Sequence, residues 1–144
     1  MSVSSSIDIK LAPIVSPINI ITKLLEYGWT PDDNGIVSYL PLGDVDSYEW
    51  NRENIKFPDL LEIIKEKIQG NETIGVVLTW KDTGIGGEFL FWNDGSVSIN
   101  LSIRRKLIDS ISNITDVNWY LTKLITALNV QETKIVSITY EEHV

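Results

Sequence analysis

Apolar positions recur along the first part of the chain with two different periods. Residues 7–11 alternate between apolar and polar side chains, which predicts a short β-strand. Ser16 followed by Pro17 is typical of a helix start, and apolar residues then return at helical spacing up to Gly28. The sequence therefore predicts a strand followed by an amphipathic helix.

The next part of the chain combines turns, a strand and a second helix. A Pro-Asp-Asp-Asn-Gly turn signal precedes a predicted strand at residues 36–40. A second helix is predicted over residues 58–70, with its apolar residues on one face and with Lys65 and Lys67 on the solvated face. Residues 43–54 lack a regular period and are predicted to form an irregular loop, called here the acidic-aromatic loop.

The second half of the chain begins as a predicted antiparallel meander. Three runs rich in Val, Ile, Phe and Trp are separated by turns that contain glycine, at residues 73–80, 88–92 and 96–101. Thr115 or Asp116 caps a predicted third helix that extends to Leu128. Residues 135–140 alternate as a closing strand, and residues 103–114 show no assignable pattern.

Three helices and about five to six strands predict an α+β fold, an antiparallel sheet with the helices packed mainly on one face. The chain has 144 residues, of which 43% are hydrophobic and 22% charged, as in an ordinary globular protein. We therefore expect a single domain spanning residues 1–144, with residues 1–6 and 141–144 frayed.

The sequence leaves open which side chains lie on which face of the meander. A two-residue turn at residues 94–95 would place Phe89 and Phe91 on the serine-bearing face of the following strand. A shift of one residue would place Leu90 and Trp92 there instead. In both registers two large apolar groups accompany a polar row, which either the chain itself or a partner could cover.

The residue types needed for most catalytic and metal chemistry are missing. Cysteine is absent and His143 is the single histidine, which excludes disulfides, a thiol nucleophile and a zinc ribbon. The glycine-rich residues 81–87 lack both the Lys-Ser/Thr ending and the helix that a phosphate-binding loop requires, so they predict a hairpin turn. No catalytic residue, metal ligand or cofactor is assigned.

The charge balance restricts the classes of partner. Asp and Glu total 20 against 12 Lys and Arg, so the formal net charge is −8, which disfavours nucleic acid and anionic membranes and favours a basic partner. The basic run Arg104–Lys106 is isolated, whereas nucleic-acid binding requires a wider basic face. The sequence also lacks an apolar run of the roughly 18 residues that span a membrane, so we expect a cytoplasmic protein.

The acidic-aromatic loop is the strongest candidate for a binding surface. Its carboxylates alternate with Tyr48 and Trp50, and acidic groups beside large aromatic side chains suit the recognition of a basic protein. The spacing of the carboxylates does not match a calcium-binding loop. The predicted partner-binding residues are Asp44, Asp46, Tyr48, Glu49, Trp50 and Glu53.

Three segments carry a resemblance to a known family, namely residues 39–44 ahead of Trp50, residues 78–80 and residues 115–121. Together they resemble immunity proteins of bacterial contact-dependent growth inhibition and related polymorphic toxin systems, over most of residues 28–128. The resemblance implies a cytoplasmic, non-enzymatic protein that binds the C-terminal domain of a cognate toxin, often a nuclease. Such a protein blocks the active site of the toxin or its access to substrate.

The resemblance supplies no binding residues, because each immunity protein recognises its own toxin. From the residues alone, two alternatives stay open. One is a small hydrolase or transferase that uses carboxylates in a cleft. The other is a homo-oligomeric structural subunit that buries the apolar pair on the sheet.

Overall fold

The computed structural model describes residues 4–33, 35–129 and 133–143. Within these residues the chain forms three helices: α1 (Pro17–Tyr27), α2 (Phe57–Gln69) and α3 (Val117–Leu128). The described residues also form nine strands: β1 (Ser4–Ala12), β2 (Trp29–Thr30), β3 (Asp32–Asp33), β4 (Ile36–Tyr39), β5 (Asn51–Glu53), β6 (Ile74–Trp80), β7 (Gly86–Phe91), β8 (Ser96–Ile103) and β9 (Lys134–His143).

The α+β class, the three helices and the antiparallel sheet are confirmed, but the predicted number of strands is wrong. The sheet contains nine strands within the described residues, where five to six were expected. The additional strands β2, β3 and β5 are only two or three residues long. Such short segments cannot display a period in sequence, since alternation requires several residues. Strand β5 also turns the end of the acidic-aromatic loop into regular structure.

The helix ends follow the signals in the sequence. The Ser16 side chain accepts a hydrogen bond from the backbone N–H of Ile18, and Gly28 ends α1 with a φ of 131° that other residues rarely adopt. The Asp116 side chain caps α3 by accepting from the backbone N–H of Trp119 at 3.3 Å. None of the three described helices is long and apolar enough to cross a membrane.

All strand pairs are antiparallel, and the order of the longer strands is β4-β6-β7-β8-β1-β9. Strand β1 lies between β8 and β9, so the first and the last described strands are neighbours in the sheet. Ser4 pairs with His143. Of the residues expected to fray, 4–6 and 141–143 lie in this ladder, and 1–3 and 144 lie outside the described residues. Strand β3 pairs with β4, β5 also pairs with β4, and β2 pairs with β6.

The β7–β8 hairpin has the second of the two registers considered from sequence. Phe91 pairs with Val97, which a two-residue turn does not allow. The backbone N–H of Trp92 donates to the carbonyl of Ser96 at 3.0 Å, and Gly95 has a φ of 87°. The loop therefore has three residues with glycine in the left-handed position, a turn that shifts the pairing by one residue.

This register separates the two faces of the sheet. The side chains on one face pack with buried side chains of all three helices in a single core. The strand residues of this core are Ile7, Ile9, Leu11, Trp29, Val37, Tyr39, Ile74, Val76, Leu78, Phe89, Phe91, Val97, Ile99 and Leu101. The opposite face, called here the open face, carries the intervening residues. Leu90 and Trp92 lie on it with the serine row, since Leu90 pairs with Ser98 and the indole N–H of Trp92 donates to the Ser98 hydroxyl at 2.9 Å.

Residues 107–115, called here the isoleucine loop, belong to the region that sequence left unassigned. Leu107 and Thr115 form an isolated antiparallel bridge that closes the loop. An Arg105 guanidinium nitrogen donates to the Thr115 hydroxyl at 2.7 Å, so one member of the basic run has a structural role. Ile111 is 94% exposed, which makes this loop a second apolar surface feature.

Candidate partner-binding site

A turn within the acidic-aromatic loop is held together by the Asp44 carboxylate. One carboxylate oxygen accepts from the backbone N–H groups of Ser47 and Tyr48, both at 3.1 Å, and the other accepts from the N–H of Glu49 at 2.8 Å. The hydrogen bond from Glu49 is the main reason that the pKa of Asp44 is lowered, with those from Tyr48 and Ser47 adding to it. Asp44 is 8% exposed, and its charge serves the loop itself.

A buried ammonium group ties the start of the loop to helix α2. Lys67 is 1% exposed, and its Nζ donates to the carbonyl oxygens of Pro41 at 2.6 Å and of Asp44 at 2.9 Å. It also pairs with the Glu72 carboxylate at 3.2 Å, which accepts from the N–H of Gly43 as well. The prediction that Lys67 lies on the solvated face is therefore wrong. Carbonyls and a carboxylate replace the water that the ammonium would otherwise bind.

The part of the loop that reaches solvent combines a strained backbone with mixed side-chain chemistry. Tyr48 has a φ of 54°, a left-handed conformation that is uncommon for a bulky residue, and its side chain is 44% exposed. Asp46 and Glu49 are exposed beside it. Two large apolar side chains, Val45 in the loop and Leu42 just before it, are also about half exposed. The loop therefore presents apolar, aromatic and carboxylate groups on one short stretch of chain.

The Trp50 side chain packs on the open face of the sheet and so places this end of the loop against it. A Cβ atom added to Gly75 in β6 would lie 2.8 Å from the far ring of Trp50, so the indole rests where strand β6 has no side chain. Gly75 pairs with Leu90 in β7, which places the indole near the open-face side chains of that strand. Because Gly75 has no side chain, strand β6 leaves space there for the Trp50 indole.

Two hollows lie on the open face, and Trp50 and Glu88 line both of them. The Arg52 hollow has a volume of about 370 Å³ and is also lined by Arg52, Ser38, Val77 and Thr79. The Tyr48 hollow has a volume of about 270 Å³ and is also lined by Tyr48, Leu90, Ser98 and Asn100. Each hollow combines apolar walls with a few polar groups, as small binding sites commonly do.

The structure brings together only some of the six predicted binding residues. Asp44 lies inside the loop. Glu53 pairs with Val37 on the helix side of the sheet, where its carboxylate accepts from the Tyr39 hydroxyl at 2.8 Å. Burial first, and this hydrogen bond second, raise the pKa of Tyr39. The remaining four residues share the exposed surface and the open face: Asp46, Tyr48, Glu49 and Trp50. Their contact with a partner stays a prediction.

Sequence reasoning missed Glu88, which lines both hollows. Glu88 lies in β7 opposite Asn100, whose side-chain amide donates to the Glu88 carboxylate at 3.1 Å. The alternation of residues 88–92 would have placed Glu88 on the face of Leu90, but the undecided hairpin register left that face unassigned. No group of three or more acidic or histidine residues that could hold a metal ion occurs in the part of the chain that the structure describes.

Comparison of the chain with models of protein families, with curated proteins and with solved structures finds no match.

Proposed function

We propose that this protein is a non-enzymatic inhibitor of the immunity type, which binds the C-terminal domain of a cognate bacterial toxin. The observation that carries the proposal is the acidic-aromatic loop: a pre-formed turn that presents Asp46, Tyr48 and Glu49 to solvent. The toxin domain is taken to be a basic nuclease, and the bound loop blocks its active site or its access to substrate.

The internal bonds of the loop support a binding role. Asp44 and Lys67 fix the backbone with buried or partly buried hydrogen bonds, so little conformational entropy remains to be lost when a partner binds. The left-handed backbone at Tyr48 costs on the order of 1–2 kcal/mol for a residue with a side chain. A strained, exposed aromatic residue on a rigid turn is common at binding sites, where the side chain is kept for recognition.

The charge of the chain supports a basic partner. A nuclease must attract phosphate and therefore carries positive charge around its active site. A formal net charge of −8, with carboxylates on the exposed loop, favours fast and salt-sensitive association with such a surface. Carboxylates that occupy the phosphate-binding groups of the nuclease would exclude its substrate directly.

The proposal is tested first by co-expression of this chain with the product of the reading frame immediately upstream. Affinity purification should retain a basic partner, and growth assays should show that the toxicity of that partner is relieved. Failure to retain a partner, together with failure to relieve toxicity, would contradict the inhibitor function. The carboxylate hydrolase or transferase and the homo-oligomeric subunit would then be tested in its place.

The contribution of the loop is tested with two double variants that each remove two negative charges. Asp46→Asn with Glu49→Gln neutralises the loop, whereas Glu62→Gln with Glu66→Gln neutralises exposed positions on α2. We expect the loop variant to bind the partner roughly 10–100-fold more weakly, with a smaller salt dependence, and the helix variant to change binding by less than about threefold. Equal losses would show that net charge acts at long range without contact at the loop. Asp44 is left unchanged because its carboxylate holds the turn.

A further inference from the structure

The Tyr48 hollow has the components of a cation-binding site. Tyr48 and Trp50 contribute aromatic rings, Leu90 an apolar wall, and Glu88 a carboxylate. Its volume of about 270 Å³ gives room for one long side chain. Aromatic faces and a carboxylate attract the same kind of group, because both present negative electrostatic potential to a ligand.

The Glu88 carboxylate retains most of its capacity to accept hydrogen bonds. Its side chain is half buried between the neighbouring strand residues Val77 and Asn100. An ionised carboxylate offers about four acceptor positions, and the described bond from the Asn100 amide uses one of them. Among the described residues no ion pair involves Glu88. A partly desolvated carboxylate of this kind gains from an added cationic donor.

The two hollows differ in their charged lining residues, because Glu88 lines both and the Arg52 hollow adds the cationic Arg52. Arg52 stands on β5 opposite Ser38, and it lines the Arg52 hollow but not the Tyr48 hollow. At the Tyr48 hollow the neighbouring strand β1 instead places Asp8 opposite Ser98, with its side chain exposed. Lys10 lies one open-face position farther along β1, opposite Ser96. The Tyr48 hollow is therefore the more negative of the two.

We propose that the Tyr48 hollow binds the guanidinium group of an arginine side chain that a basic protein partner presents. The planar guanidinium donates two parallel hydrogen bonds to the Glu88 carboxylate and stacks against the Trp50 and Tyr48 rings. The methylene stem of the arginine packs against Leu90. A lysine ammonium fits this site less well, because it is more strongly hydrated and cannot form the paired planar contact.

This inference deepens the proposed function, since it names the chemical group by which the partner is held beside the acidic-aromatic loop. An arginine seated between aromatic rings on a desolvated carboxylate is a typical interface hot spot. For the identity of the partner the inference rests on the proposed function. Binding of the guanidinium itself can be measured without any partner.

The test is a nuclear magnetic resonance titration of the ¹⁵N-labelled chain with Nα-acetyl-arginine amide. Capped citrulline, which has the same shape without the charge, and capped lysine serve as controls. We expect a dissociation constant of roughly 1–10 mM for capped arginine, as befits one ion pair with stacking and no other contacts. Signal changes should fall on the Trp50 indole, identified with a Trp50→Phe variant, and on the amides of Glu88, Ser98 and Asn100.

Two variants separate the site from general charge attraction. Glu88→Gln keeps the shape of the side chain and should weaken arginine binding at least about tenfold, while Glu62→Gln on the exposed face of α2 should leave it unchanged. The inference is overturned if capped citrulline binds equally well, if capped arginine shifts no signal at the hollow, or if Glu88→Gln binds like the unchanged chain.

The inference and the proposed function can fail separately. If capped arginine binds at the hollow but co-expression neither retains a partner nor relieves toxicity, the arginine site is supported and the inhibitor function is contradicted. If a toxin domain is retained and Glu88→Gln binds it with unchanged affinity, the inhibitor function holds and the arginine site is contradicted.

Discussion

The two faces of strand β7 differ in what their side chains contact. Phe89 and Phe91 are buried in the core beneath the helices, where Phe89 packs edge to face on Trp29 with 5.3 Å between ring centroids. Glu88 and Leu90, on the same strand, are half buried on the open face and line the Tyr48 hollow. Side chains one residue apart thus belong to different environments.

From this difference we expect that one face of the sheet mainly determines stability and the other mainly determines binding. The helix side holds a continuous apolar core, so changes there should lower the free energy of unfolding. The open face holds polar rows, a glycine and a loop that covers it in part, so changes there should mainly affect binding. The four predictions below test this separation, from the largest expected effect to the smallest.

The largest effect is expected from Phe89→Ala, because it empties a fully buried aromatic site. We expect the free energy of unfolding to fall by about 3–5 kcal/mol. Leu90→Ala, the adjacent open-face change, should cost about 1 kcal/mol. Urea unfolding of both variants measures the contrast. Similar losses at the two positions would show that the open face is also part of the core.

Lys67→Met should cost about 3 kcal/mol, because it leaves the Glu72 carboxylate and two carbonyl oxygens without their cation. The matched control is Lys65→Met on the same helix, where the ammonium is exposed and pairs with Glu62 at 3.4 Å. Such a surface pair contributes less than about 1 kcal/mol. If both variants unfold at the same urea concentration, the loop is not anchored through Lys67.

Tyr48→Gly should have a smaller and opposite effect on stability. Glycine adopts a φ of 54° without strain, so the free energy of unfolding should rise by up to about 1 kcal/mol. Under the proposed function, the aromatic contact with the partner should be lost at the same time. Urea unfolding measures the gain in stability, and the affinity for the co-expressed partner measures the loss of binding. A clear loss of stability would mean that the Tyr48 ring supports the fold itself.

Asp44→Asn should change the way in which the free energy of unfolding depends on pH. The lowered pKa of Asp44 means that its carboxylate stabilises the folded chain above the ordinary aspartate pKa of about 3.9, and that this contribution is lost as pH falls through the lower folded value. The unchanged chain should therefore lose more stability on acidification from about pH 6 to pH 3 than the variant does.

Thermal unfolding against pH measures that difference. Lowered pKa values are also found for Asp94, Asp109 and Glu142. These residues are present in the unchanged chain and in the variant, so their contributions to the pH dependence cancel in the comparison. Asp46→Asn, at an exposed position of the same loop, is the control and should follow the unchanged chain. Identical acid losses in the unchanged chain and in Asp44→Asn would remove Asp44 as the anchor of the turn.

Local signals in the sequence were sufficient to predict the elements whose ends depend on neighbouring residues. Caps such as Ser16 and Asp116 mark helix starts because their side chains bond to backbone groups two or three residues away. Two features depended on distant groups instead. Lys67 is buried because carbonyls about 25 residues earlier receive it, and β2 exists because β6 lies beside it.

The candidate site was predictable in part for the same reason. Four residues could be named from their chemistry, and the structure places them on the exposed loop and the open face: Asp46, Tyr48, Glu49 and Trp50. Asp44 and Glu53 have the same chemistry, but folding directs one into its own turn and the other to the opposite side of the sheet. Glu88 could not be assigned, because its face depended on whether the β7–β8 turn has two or three residues, which the sequence left open.

The central claim is that the acidic-aromatic loop and the open face contact a basic partner. Hydrogen–deuterium exchange of the chain alone and with the co-expressed toxin domain tests it most directly. The account predicts slower exchange in the complex for amides of residues 42–50, with little change in α1 and α2. Protection confined to the helices or to the isoleucine loop, with unchanged exchange at residues 42–50, would contradict it.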